Sequence, residues 1–271
     1  MNDKIHFTSP EFEPANAIAS ELWIEMGVNY HAYAIVDNST KEVNVLSFSP
    51  SVLFSDMEGS LLQAHFSKTK ISLQTQKFTF IPTELFDHNN IAVYKQYIQP
   101  NDSEEVFTTL IQKGEITVVY ALSKLTLDKL SKHFPDAEIY PQLASFCEGV
   151  NYAFSQISFP QLHINFKPGF MEIIIFNKNE LKFYNIFEYQ NKDEVMYFLL
   201  LVVQQNYLKP ASLLVKVCGD MDTNSEIYQS IVAQFGRTEV TDLDSLPLTY
   251  QALGYPALPR FFSLLSLNLC G

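Results

Sequence analysis

The stretch NYHAYAIVDNSTKEVNVLSF, residues 29–48, sets the fold expected of this chain. His31 to Val36 alternates and carries the Tyr, Ile and Val that suit a pleated surface. Asp37-Asn38-Ser39-Thr40 is turn chemistry, because short polar side chains bond their own backbone and tolerate unusual dihedrals. Glu42 to Phe48 is the return strand. A diverged copy, MEIIIFNKNELKFYNIF, runs from Met171 to Phe187. Asn38 lies over Asn177, Glu42 over Glu180 and Val43 over Leu181, with one residue deleted from the second turn.

The echo extends past each hairpin. Leu125 to Phe134 and Ser225 to Phe235 have helical patterning, and each is succeeded by a short strand, Ala137 to Tyr140 and Thr238 to Thr241. Pro135 and Gly236 stop the helices. The order hairpin, helix, strand, helix, strand thus occurs twice. This predicts an α/β protein of two domains, 1–158 and 159–271, each with a mixed sheet flanked by helices. The first domain holds the extra residues, at about 50–101.

Other segments fill this frame. Ile18 to Met26 reads as a short strand or helix, Ser51 to Phe66 as a helix, and Lys70 to Ile81 as a further hairpin. Ser103 to Gln112 reads as a helix, with Ser103 as cap and Glu104 and Glu105 in the first turn. Ile116 to Leu122 is a near-continuous apolar run, as in a strand buried on both faces. Leu143 to Ile157 and Asp193 to Tyr207 read as helices, the latter capped by Asn191 or Asp193, and Ser212 to Cys218 as a strand. Phe261 to Leu269 is expected to pack, as a helix, inside the second domain.

Composition narrows the function classes. Of 271 residues, 47% are apolar and 18% charged, which describes a compact chain with a large core. Aromatics reach 14%, and the simplest reading places them in that core. The formal net charge of −12 offers no broad basic face for nucleic acid and no attraction to anionic lipid. The longest apolar run, Val195 to Val203, is far short of the roughly 20 residues that span a bilayer. The N-terminal residues lack a secretory pattern. Cys147, Cys218 and Cys270 are odd in number, dispersed and set among apolar residues, as buried reduced thiols are. Together these predict a cytoplasmic protein without membrane insertion.

The doubled order of elements resembles the actin-like ATPase fold, which is ribonuclease H-like in each half. More closely, the second half resembles an uncharacterised Bacteroidetes family with a degenerate form of that fold. The residues that carry this resemblance are Tyr184 to Tyr189, Asp193 to Leu200, Val217-Cys218-Gly219-Asp220 and Arg260 to Leu264. The resemblance implies where a nucleotide would bind in an active relative. A first hairpin turn of the Asp-x-Gly-Ser/Thr type brings backbone amides to the phosphates, a second hairpin repeats it, and a Gly-Gly turn lets the nucleoside lie against backbone. Glycine matters in each because a side chain blocks the approach.

This chain keeps fragments of that pattern. Asp37, Asn38 and Ser39 retain the acid and a hydroxyl but no glycine. Asn177 and Lys178 form a second turn with neither Asp nor Gly. Gly219 and Asp220 keep one glycine of two. These residues are the candidate vestige of a nucleotide cleft, and no catalytic residue is assigned. The six histidines lack metal-ligand spacing, there is no phosphate loop of the Gly-x-x-x-x-Gly-Lys-Ser/Thr type and no Gly-x-Ser-x-Gly elbow. Asp220-x-Asp222-x-Asn224 resembles part of a calcium loop, but position 231, where the closing Glu belongs, is Ile. The expected activity is therefore binding of a protein partner, without cofactor. The alternative is an atypical ATPase or sugar-kinase-like phosphotransferase, which would need ATP and magnesium.

Overall fold

The structure is a computed structural model, and it describes residues 4–51, 61–177, 180–253 and 259–271. By internal contacts the chain forms two compact units. The first comprises Asn2–Glu148, Pro247–Pro256 and Leu264–Gly271, and the second Gly149–Leu246 and Ala257–Ser263.

In the first unit the strands are β1 (Ile5–Thr8), β2 (Ser20–Met26), β3 (His31–Asp37), β4 (Val43–Ser49) and β5 (Lys68–Leu73). Then come β6 (Phe78–Pro82), α1 (Ile91–Ile98), β7 (Glu104–Ile111), β8 (Ile116–Ser123), α2 (Lys124–His133), β9 (Glu138–Pro141) and α3 (Gln142–Phe154), whose last residues belong to the second unit. A six-stranded sheet has the order β1-β4-β3-β2-β5-β9. β2 is antiparallel to β3 and parallel to β5, and β5 is parallel to β9. Trp23, Ile24, Ile35, Val43 and Ile71 are fully buried in it.

The second unit contains β10 (Gln161–Lys167), β11 (Phe170–Asn177), β12 (Glu180–Glu188), α4 (Lys192–Gln205), β13 (Leu214–Gly219), α5 (Glu226–Gln234) and β14 (Arg237–Val240). Its sheet has the order β12-β11-β10-β13-β14, antiparallel on one side of β10 and parallel on the other. This is the β4-β3-β2-β5-β9 order again, with the same pair orientations. α4 covers one face because Val195, Leu199, Val202 and Val203 recur at helical spacing and are buried. Each contributes roughly 1.5–3 kcal/mol through burial. Its first turn is closed by Asn191, which accepts from the Glu194 amide at 3.0 Å, while Glu194 accepts from the Gln190 amide at 2.8 Å. The opposite face carries Gln161, His163, Asn165, Lys167 and Glu172, all buried. Glu172 accepts from Tyr184 Oη and from Asn165 Nδ2, both at 2.6 Å.

The structure corrects several readings. The helix expected at 103–112 is instead the strand β7, Glu104–Ile111, paired along its length with β8. Ser103 does not cap; its hydroxyl donates to Asn101 Oδ1 at 2.6 Å, and Glu104 pairs with Lys77 at 2.6 Å. Residues 70–81 are not a hairpin, because β5 lies in the six-stranded sheet and β6 pairs with β8 in a separate three-stranded sheet, β6-β8-β7. α1 packs on that sheet through Ile98, Val119 and Ala121. The residues extra to the shared five-strand order thus include 78–123, beyond the 50–101 expected. The helix expected at 51–66 falls mostly outside the described residues; Leu61–Gln63 is a 3-10 turn.

At the C-terminal end, α6 (Phe262–Leu265) leads into a 3-10 turn, Ser266–Leu269. The expectation that 261–269 packs wholly in the second unit holds only to Ser263. Beyond it, the buried Lys70 donates to the Leu267 carbonyl at 3.1 Å and to the Cys270 carbonyl, which fixes the segment to the first unit. The three cysteines are buried and free, and burial pushes the Cys270 thiol up to about 12. Trp23, Tyr30, Phe146, Phe166, Phe261 and Phe262 are among the largest fully buried side chains, so much of the aromatic content is core.

Candidate functional site

Open sheets with parallel strands bind ligands outside the carboxyl ends of those strands. In the first unit that edge follows β2 and β5. The turn after β2 is Gly27-Val28-Asn29-Tyr30. The Tyr30 ring lies directly on Gly27: a Cβ there would fall 2.0 Å from Tyr30 Cε1. Tyr30 is 2% exposed, stacks on Phe48 at 5.9 Å, and donates from its hydroxyl to Glu25 Oε1 at 3.2 Å. The Gly27 amide donates to the Tyr30 carbonyl at 3.0 Å, and the Val28 amide to Gln74 Oε1 at 3.2 Å. The open face of the glycine and these two turn amides are occupied by the chain itself.

In the second unit the corresponding edge follows β10 and β13. Gly219 ends β13 with φ +87°, and a Cβ on it would sit 2.0 Å from the Phe166 carbonyl oxygen. The Asp220 amide donates to that oxygen at 2.8 Å. Asp220 Oδ1 accepts from Arg260 Nη2 in a largely buried ion pair. Burial, and then the Asp220 charge, push the Tyr189 hydroxyl up to about 12. Lys167, at the end of β10, is buried and donates to Ser263 Oγ at 2.7 Å. Gly169, in the turn between β10 and β11, has φ +84° with open space on its Cβ side.

The residues singled out from sequence do not form one site in the second unit. Gly219 stands beside Phe166 at the carboxyl end of β10, whereas Phe176, next to Asn177, stands beside Gln161 at its amino end. Five residues of strand separate those levels, roughly 16 Å. Lys178 lies outside the described residues. In the first unit, Asp37 pairs with Ser20 and so marks the amino end of β2, seven residues and roughly 23 Å from Gly27. Two turns flank β3. The conspicuous polar turn follows β3, at the amino end of β2.

That polar turn is closed on itself. Asp37 Oδ1 accepts from the Ser39 hydroxyl at 2.7 Å and amide at 2.9 Å, and from the Thr40 amide at 2.8 Å and hydroxyl at 3.0 Å. These bonds, the Ser39 hydroxyl foremost, hold the carboxyl down at about 2. Asn38 Nδ2 donates to Ser67 Oγ at 2.6 Å. Asp222 is likewise a turn residue: it accepts from the Asn224 amide at 2.8 Å ahead of the Ser225 cap of α5. Among the described residues, no group of three or more His, Cys, Asp or Glu converges as metal ligands do.

Comparison with known proteins agrees with this architecture. The sequence profile of a family described as "Protein of unknown function (DUF3822)" matches residues 9–235, so the chain belongs to that family. A Bacteroides thetaiotaomicron protein with actin-like ATPase fold and unknown function superposes with a TM-score of 0.76 at 16% identity, covering 86% of this chain and 94% of that one. A structure of the PilM-PilN type IV pilus biogenesis complex matches with a TM-score of 0.59 at 12% identity, over 92% of this chain and 97% of that one. The cytoplasmic domain of EpsL, an inner membrane component of the type II secretion system of Vibrio cholerae, matches at 0.51 and 11%, over 93% and 96%. No curated protein matches the chain. At these identities the likeness shows the fold, and the fold is actin-like.

Proposed function

We propose that this member of the DUF3822 family is a non-catalytic actin-like module that acts by binding a protein partner. The observation that carries this reading is the Tyr30 ring seated on Gly27, where a ligand of an actin-like fold would approach backbone. The two units are taken as copies of one ancestral domain, on the strength of their common strand order and orientations. The module works in the cytoplasm; among the described residues no helix is long and apolar enough to cross a membrane. No cofactor is required.

One observation favours the alternative of an atypical ATPase or sugar-kinase-like phosphotransferase. Lys167 and Arg260 place two cations by the carboxyl ends of β10 and β13. Both already have roles inside the unit, Lys167 on Ser263 and Arg260 on Asp220. A ligand that binds only the folded state adds about 2.7 kcal/mol at 100 times its Kd. A thermal melt in millimolar Mg-ATP is expected to leave Tm unchanged. A rise of several degrees that is specific for ATP over inorganic phosphate, and abolished by Arg260→Met in a variant that still folds, would establish the phosphotransferase reading instead.

A further inference from the structure

A second feature of the first unit lies at the opposite end of its sheet from the strand carboxyl ends. The segment 9–16, the turn at 37–42 and the segment 251–252 enclose a groove of about 790 Å3, within the range of ligand sites. The last of these segments is tied down by Glu42, which accepts from the Thr249 hydroxyl and from the Ala252 amide at 2.6 Å. The Thr249 amide donates to the Lys41 carbonyl at 3.0 Å and the Val43 amide to the Thr249 carbonyl at 2.8 Å. The groove therefore has hydrogen-bonded walls.

Its chemistry is one-sided. Glu11, Glu13, Asp37 and Glu42 line it, and among the described residues no Lys, Arg or His does. Pro10, Phe12 and Ala252 supply apolar surface between them. On the floor, Ser20 is 3% exposed and directly paired with Asp37, so the two side chains share a face. Ser20 lines the groove with no side-chain hydrogen bond among the described residues, so its hydroxyl is free to meet a ligand atom there. An anion is repelled here, and a single ion is far smaller than the space. Phe12 adds an aromatic ring to the lining, a group that attracts cations.

We infer that this groove receives an extended, Lys- or Arg-bearing segment of the partner protein, its cationic heads meeting Glu11 and Glu13. The inference rests on the protein-binding reading above and specifies the class of partner.

The test is fluorescence anisotropy on the full chain at about 0.15 M salt. The probes are labelled nonapeptides in which Lys or Arg alternates with Leu, Phe or Ser, together with counterparts carrying Glu in place of the cations. At least one basic peptide is expected to bind and no acidic one. Glu11→Lys/Glu13→Lys should weaken binding about tenfold or more. Asp128→Lys/Glu115→Lys makes the same change of charge at exposed positions elsewhere and should leave it within about twofold. Melts check that both variants fold, and Glu11→Gln/Glu13→Gln replaces the reversal if it does not. The inference is overturned if no basic peptide binds, if both reversals weaken binding equally, or if spermine binds as tightly as the best peptide. A Tm rise with Mg-ATP alone would defeat the non-catalytic reading, so the two failures are distinguishable.

Discussion

The carboxyl end of β2 and the carboxyl end of β13 each keep a glycine, and the two glycines are closed off in different ways. At Gly27 a side chain does it: the Tyr30 ring lies where a Cβ would be. At Gly219 the main chain does it: the Phe166 carbonyl oxygen and nitrogen lie 2.0 and 2.5 Å from the position of a Cβ, and φ is +87°. A glycine at the ligand-facing edge of this fold is therefore no sign of a ligand. The first could be reopened by changing one residue. The second is part of the sheet itself.

That contrast is broken or sharpened first at Gly219. Gly219→Ala combines the left-handed penalty of about 1–2 kcal/mol with a clash against backbone that no rotamer relieves, and should destabilise by about 3 kcal/mol or more. Urea unfolding measures it. A loss below about 1 kcal/mol would show that β10 can recede, and the comparison would fail.

Gly27→Ala comes next, at about 1–3 kcal/mol, the usual range for overpacking. Here the obstacle is a side chain, so Tyr30→Leu should recover part of the loss. In a double-mutant cycle the coupling should be about 1 kcal/mol or more, favourable in the double variant. Losses that simply add would mean that Tyr30 is not what opposes the methyl group.

The sequence showed the second unit better than the first. Its helices α4 and α5 have capping residues and regular apolar spacing, and its strands lie close together in the chain. In the first unit, β2 was ambiguous because Glu21 and Glu25 interrupt its apolar pattern. The structure explains both acids: Glu21 accepts from Trp23 Nε1 at 2.9 Å and pairs with Lys41, and Glu25 accepts from Tyr30. Without β2 as the central strand, the turn at Gly27 had no claim on attention and the polar turn at Asp37 drew it. β7 was misread for a related reason. Ser103-Glu104-Glu105 has the composition of a helix start, and only pairing with β8, some ten residues on, decides otherwise. The parallel pairings β2–β5 and β5–β9 are long-range and leave no local mark. The groove is equally hidden, since its walls come from segments as distant as Glu11 and Ala252.

The smallest expected effect belongs to the turn that seemed most functional. Asp37 has a folded-state value of about 2 against an ordinary 3.8, so its ionised form favours the folded chain. That contribution is fully present above about pH 4 and is lost as pH falls through about 2. The wild type also titrates at His163, which burial, with Lys216 nearby, holds at about 3 against 6.5. The unfolded chain binds that proton first, so His163 costs stability as pH falls from 6.5 towards 3. Asp37→Asn shares the His163 background, and the difference between the two proteins isolates the carboxylate. In urea unfolding, wild type should exceed Asp37→Asn by a constant margin from about pH 7 to pH 5, and the margin should shrink below about pH 4. Because the turn is solvent-exposed, the margin should be small and partly screened by salt. A margin that grows as pH falls would mean that the carboxyl is favoured as its neutral form in the folded chain, and that the bonds to Ser39 and Thr40 do not set its charge.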